Sequence, residues 1–298
     1  MNRERPTLRT VAGRAYLDLQ NLARRQTRPT EELQQLYALE GFLARVAVSA
    51  YAERFVLKGG VLLAAYGARR PTRDVDMQGR EMSNRIEDIL EVVRDITAVH
   101  LDDGLAFHPA HAKAETIRDE DEYSGVRVTL TATLAAARLS LHVDINVGDP
   151  IWLAPRTVAL PRLLGGTIQR SDYPLPVTYA EKIVTALHRG TANTRWRDFA
   201  DLFLLSGQHP VSGDEVEQAL AAVADYRQVD LMPLTDVLHG YALLAQARWE
   251  AWRRRQRLDD RLPGSFTEIL ATVITFADPA LRREITEQDW EPGARAWL

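Results

Sequence analysis

Apolar and polar positions change period several times along this chain, and each change marks an element. Leu33, Leu36, Tyr37, Phe42, Leu43, Val46, Ala47 and Ala50 recur at helical spacing. They predict a helix from Thr30, as its N-cap, to about Arg54, with one face against a sheet. Phe55-Val56-Leu57 is a short apolar run of strand length, and Val61 to Tyr66 reads as a short apolar helix broken at Arg69-Arg70-Pro71. Thr72 to Met77 reads as a second strand. Ser83-Asn84 caps a helix to about Val99, with Ile86, Ile89, Leu90, Val93 and Ile96 on its inner face, and Leu105 to Phe107 forms a short strand. Val126–Leu134 and Arg138–Val147 alternate with period two and predict a hairpin through an alanine-rich turn. Proline and glycine in Asp149 to Pro176 predict a loop or crossover. Thr178 to Glu181 has the spacing of a capping box opening a helix, with Lys182 in its first turn. A further helix covers Thr194 to Leu205. From Val211 onward only helices are expected, mainly Asp214–Ala224, Thr235–Arg255 and Phe266–Ala277.

These elements define an α+β (mixed α/β) protein. A basic helical arm covers residues 1–29, with Arg3, Arg5, Arg9, Arg14, Arg24, Arg25 and Arg28. An α/β core follows over 30–150, and a mainly helical domain over 151–298. The 298 residues, 46% hydrophobic, suffice for one large or two moderate cores. Absence of cysteine removes disulfides, thiol nucleophiles and cysteine zinc sites, and fits a reducing cytoplasm. No apolar run reaches membrane-spanning length, and the polar N-terminus carries no signal core. A net charge of −4 leaves nucleic-acid binding to local patches. Of 37 basic residues only Lys58, Lys113 and Lys182 are lysine, leaving 34 arginines. Such a chain keeps lysine where a compact charge on a flexible stem is needed, unless base composition alone left these three.

The chemistry concentrates between Phe55 and Gln78. On a strand Asp74 and Asp76 project to one face while Val75 and Met77 face the core. Two carboxylates forced together call for a cation, and hard oxygen ligands suit magnesium. Gly59-Gly60 lets backbone approach a phosphate and offer N–H groups to it. In the later hairpin Leu139, Leu141, Val143, Ile145 and Val147 share one face, which puts Asp144 on the other with His142 and Asn146. If that strand lies beside the DxD strand, Asp144 joins Asp74 and Asp76. Asp198 and Asp201 share a helical face. His108 and His111 fall in a polar connection with no third metal ligand in view. Trp249 and Trp252 beside Arg253-Arg254-Arg255-Gln256-Arg257 read either as a solvated helix end or as a grip on polynucleotide.

In the order strand, Gly-Gly, helix, strand, Asp-x-Asp, the chain resembles the DNA polymerase β-like nucleotidyltransferase superfamily. LKGG followed by TRDVD, and later AEKI and RDFADL, resembles the AbiEii/MenT-type nucleotidyltransferase toxins, over Leu57 through Leu202. The resemblance implies a nucleotidyltransferase-type mixed sheet flanked by helices, with the helical half completing the active site. It implies that Asp74, Asp76 and Asp144 hold two Mg²⁺ ions. Lys58, Gly59, Gly60, Thr72 and Lys182 would surround a nucleoside triphosphate, and Asp198 would orient Lys182. Read without it, Lys182 and the aspartates make a surface ion pair of little worth.

The expected activity is that of a toxin moving a nucleoside monophosphate, from CTP or UTP by preference, to the 3′ acceptor end of tRNA. This would block aminoacylation and translation until a separately encoded antitoxin intervenes. A small-molecule acceptor of aminoglycoside type and a protein hydroxyl are the alternatives. Thr72 is also a position for regulatory modification.

Overall fold

A computed structural model describes residues 6–67, 72, 74–118, 124–148 and 152–298. Arg3, Arg5, Arg69, Arg70, Pro71 and Arg73, used in the sequence reading, lie outside the described residues. The chain forms two compact units. One is Met1–Asp149 with Arg156–Asp172, and the other is Pro150–Pro155 with Tyr173–Leu298.

The first unit opens with α1 (Val11–Arg25), capped by the Thr10 hydroxyl accepting from Gly13 N–H at 3.0 Å, and α2 (Thr30–Val48). Helix α1 packs on α2 and buries Gly13, Ala15, Leu19 and Ala23, leaving Arg14, Arg24 and Arg25 exposed. The N-cap of α2 is Pro29 rather than Thr30: Pro29 is still extended, at φ −61° and ψ 134°, and Thr30 takes the first helical position without a side-chain cap. α2 also ends earlier than its apolar spacing predicts, at Ser49, and a 3₁₀ turn over Ala52–Arg54 leads into β1 (Phe55–Lys58). Then come α3 (Gly59–Leu62), β2 (Asp74–Gly79), α4 (Ile86–Ala98) and β3 (Leu105–Phe107). The connection holding His108 and His111 is a 3₁₀ turn over Pro109–His111, and Lys113 begins an unexpected strand, β4 (Lys113–Arg118). The hairpin forms as predicted, β5 (Ser124–Leu134) and β6 (Ala137–Val147).

The expected loop after Asp149 holds a second hairpin, β7 (Arg156–Pro161) and β8 (Thr167–Asp172). Its alternation is hard to see because the inward positions of β8 are Ile168, Arg170 and Asp172, two of them charged. Arg170 donates to the carbonyls of Phe55 (2.6 Å) and Ala52 (3.2 Å), and buried Glu40 of α2 accepts from Leu163 N–H at 3.0 and 3.1 Å.

Among the described residues, strands β1 to β8 form one mixed sheet, ordered β3-β5-β6-β2-β1-β8-β7, with β4 also on β5. Leu57, Met77, Ile145 and Val126 stand in register across four strands, all at most 2% exposed. Period two then forces the intervening residues to the opposite face.

The second unit is helical, with α5 (Leu175–Arg189), α6 (Trp196–Ser206), α7 (Gly213–Arg227), α8 (Leu234–Val237), α9 (Tyr241–Arg255) and α10 (Phe266–Leu281). Helix α5 starts at Leu175 after Pro174, so Thr178 is buried inside it and Lys182 lies two turns in; prolines read as breakers occupy the one turn that tolerates them. Gly240, at φ 74°, separates α8 from α9 where one helix was expected. The unit is not purely helical. β9 (Val211–Ser212), β10 (Asp289–Glu291) and β11 (Ala296–Trp297) form a small sheet from strands too short to show a period. All six tryptophans belong to this unit. Trp196, Phe199, Tyr241, Trp249 and Phe266 pack as one aromatic cluster.

Candidate active site

Four adjacent strands of the first unit each contribute one residue to a transverse row. Lys58 on β1 is opposite Asp76 on β2, Asp76 is beside Asp144 on β6, and Asp144 is opposite Arg127 on β5. Residues in register share a face of the sheet, so the row reads cation, carboxylate, carboxylate, cation. Asp74, two residues before Asp76, points the same way and stands beside His142.

Asp74, Asp76 and Asp144 each present an oxygen within 4.8 Å of the others'. The expectation that β6 lies beside β2 is met by direct pairing of Asp76 with Asp144. Three convergent carboxylates are a hard, oxygen-only donor set, and that chemistry fits a divalent cation. Thr72 Oγ1 donates to Asp74 Oδ1 at 2.5 Å, fixing that carboxylate from outside the strand. Gly59 and Gly60 open α3 directly after β1. Gly59 adopts φ +72°, and a Cβ there would lie 1.9 Å from Asp76 Oδ2. The glycine is needed for its conformation and because a carboxylate occupies the side-chain position.

Arg127 was absent from the sequence reading. Its Nε donates to Asp144 Oδ1 at 2.8 Å and its Nη2 to Oδ2 at 2.6 Å, the two-pronged geometry that suits guanidinium and carboxylate. Those bonds, with the fields of Asp144, Asp74 and Asp76, raise the arginine pKa further despite partial desolvation. Counting back along the hairpin from its Ala135-Ala136 turn would have placed Arg127 opposite Asp144.

In the second unit, Lys182 of α5 meets α6. Its Nζ lies 3.1 Å from Asp198 Oδ1 and 2.8 Å from Asp201 Oδ2, and Arg195 Nε donates to Asp198 Oδ2 at 2.6 Å. Asp201 is fully buried, so this is an interior ion cluster and not an exposed pair of little worth. Burial alone would raise the Asp198 pKa; Lys182, Arg195 and Arg197 outweigh it and hold the carboxyl well below the usual range. Asp201, noted in sequence only for its spacing, is as close to Lys182 as Asp198 is.

The tryptophan–arginine cluster does not offer bases a stacking surface. Trp249 and Trp252 are 0% and 9% exposed and stack on each other. The Trp249 indole donates to Pro263 O, and Arg253 is held by Asp259 and Leu262 O. Among the described residues, His108 and His111 belong to no group of three metal-ligating side chains.

A mixed sheet bearing a Gly-Gly turn beside three convergent carboxylates defines the nucleotidyl-transfer class of site. The comparisons place the chain within that class. Residues 41–291 match the family described as the nucleotidyl transferase AbiEii toxin of type IV toxin–antitoxin systems, and the chain belongs to that family. No curated protein matches it. Similar solved structures include a candidate nucleotidyltransferase from Helicobacter pylori, 14% identical, covering 86% of this chain and 98% of its own, with a TM-score of 0.49. Another is JHP933 of the same organism, 13% identical, covering 83% and 91%, with a TM-score of 0.47. No helix of the described residues is long and apolar enough to cross a membrane.

Proposed function

We propose that this nucleotidyl transfer enzyme moves a nucleoside monophosphate from a nucleoside triphosphate, CTP or UTP by preference, to the 3′ end of tRNA. It thereby acts as a toxin restrained by a cognate antitoxin. The observation that carries the reading is the convergence of Asp74, Asp76 and Asp144 within 4.8 Å beside Gly59-Gly60. These carboxylates would hold Mg²⁺, in two ions on the fullest form of the proposal. The metal supplies charge neutralisation of the triphosphate and of the entering oxygen.

The remaining chemistry falls to the chain. The Gly59 and Gly60 amides and Lys58 bind and orient phosphate oxygens, and Thr72 keeps Asp74 in place. The terminal tRNA hydroxyl oxygen bonds to the α-phosphorus as the bond to the β-phosphate oxygen breaks. Pyrophosphate leaves with that electron pair, and the hydroxyl proton passes to solvent. Positioning and fixed charge then supply most of the rate. Lys182, held by Asp198, is assigned to the phosphates in the same reaction on the order of the motifs. Exposed Arg14, Arg24 and Arg25 on α1 support a polynucleotide acceptor, since arginine on one face of a helix suits a phosphate backbone.

Purified protein incubated with total tRNA, Mg²⁺ and each labelled triphosphate tests this, with Asp74→Ala as control. Label on tRNA, lost in the variant, is expected. Protein that binds triphosphate and labels no RNA would overturn the tRNA assignment and move the acceptor to a small molecule or a protein hydroxyl.

A further inference from the structure

The transverse row contains one member that the nucleotidyl-transfer reading does not use. Arg127 engages both oxygens of Asp144, at 2.8 and 2.6 Å, through residues directly opposite in the β5–β6 register. A guanidinium in this two-pronged contact uses the same in-plane lone pairs that a metal ion would take. Its charge also opposes any divalent cation arriving at the carboxylates, and Asp74 and Asp76 lie within its field. The pair is not locked in. The Arg127 side chain is 37% exposed against 11% for Asp144, so the arginine can leave while the carboxylate stays. Lys58, at the opposite end of the row, is only 9% exposed. The two cations thus differ in freedom, and Arg127 is the one able to move.

Building on the metal site proposed above, we propose that Arg127 is a positioning residue that withholds Asp144 from metal until a triphosphate is bound. The anionic phosphates then give the guanidinium an alternative partner, and Asp144 is released to the ion. Metal binding and nucleotide binding become coupled through a single ion-pair exchange, with no bond made or broken. Arg127 lowers the affinity for metal alone and raises that for nucleotide.

The test is Mn²⁺ binding to the full-length protein without nucleotide, followed by electron paramagnetic resonance, for wild type, Arg127→Met, Arg127→Lys and Asp74→Asn. Arg127→Met is expected to bind Mn²⁺ about tenfold more tightly than wild type, the order expected for removing one nearby charge in a partly screened site. Arg127→Lys, which keeps charge and gives up the second prong, is expected to fall between, and decides the matter if the methionine variant does not fold. In turnover, Arg127→Met should need less metal for half-maximal rate and show a higher KM for triphosphate, a split that loss of structure alone would not produce. Equal Mn²⁺ affinity in all three proteins, with Asp74→Asn still weakening it, overturns the role of Arg127 and leaves the metal site standing. Mn²⁺ binding indifferent to Asp74→Asn overturns the metal site itself, and this inference with it.

Discussion

At Gly59 the backbone and a carboxylate compete for one position. A methyl group there would meet Asp76 Oδ2 at 1.9 Å, on a residue whose φ of +72° already disfavours any side chain. Gly59→Ala is therefore expected to displace Asp76 and lower nucleotidyl transfer by about a hundredfold or more, the scale at which a misplaced reacting group costs rate. Circular dichroism should show a folded protein, and a variant with wild-type turnover would refute the role assigned to this glycine. Asp172 poses a different problem. Fully buried at the end of β8, it accepts from the Tyr66 hydroxyl at 3.1 Å, while its Oδ1 has no hydrogen-bond partner. Burial pushes its pKa up to about 7, with Tyr66 and Arg156 offsetting only part of the effect. Between the unfolded value of about 3.9 and that folded value, the native state binds the extra proton, so stability falls as pH rises through this window and levels off above it. Asp172→Asn should accordingly raise the melting temperature at pH 8 and change it little near pH 4, as calorimetry would show.

Among the elements, a buried ionic anchor of the first unit lies away from the carboxylates of the candidate site. Arg45 of α2 is 1% exposed and donates to both oxygens of Asp103, at 2.7 and 3.1 Å, and to the carbonyls of Gly41, Val99 and Leu105. One side chain thus joins α2, the end of α4 and the start of β3. Arg45→Met would leave Asp103 buried without its partner, and a loss of about 3–5 kcal/mol is expected in urea denaturation. An unchanged midpoint would show that the site relaxes. This anchor was not visible in sequence, because an arginine among apolar helix positions looks like an interruption. The same holds for β8, whose inward Arg170 and Asp172 hide its period. The DxD strand and the hairpin were legible because there the inward residues are almost all valine, leucine, isoleucine and methionine. The pairing of β6 with β2 was implied only by the family resemblance, since adjacency of distant strands leaves no mark in either strand's period. The start of α5 directly after Pro174 and the short strands β9, β10 and β11 were not legible, since neither leaves a periodic trace.

Across the whole molecule the two units carry titrating groups of opposite sense. Asp172 makes the first unit less stable as pH rises from about 4 to 7. Asp198 in the second has a folded pKa below its unfolded one, so its contribution is full above about 3.9 and is lost as pH falls below that value. Thermal melts across pH should show the second unit weakening first in acid, with Asp198→Asn flattening its dependence. Identical acid profiles for wild type and variant would contradict this. The distribution of indoles makes such a measurement direct. With every tryptophan in the second unit, intrinsic fluorescence selectively excited in indole follows that unit alone. The sheet bearing Asp74, Asp76 and Asp144 is dark at those wavelengths, so a single tryptophan introduced there would report on nucleotide binding once the native indoles are replaced, and the natural chain already carries an optical label on one half only.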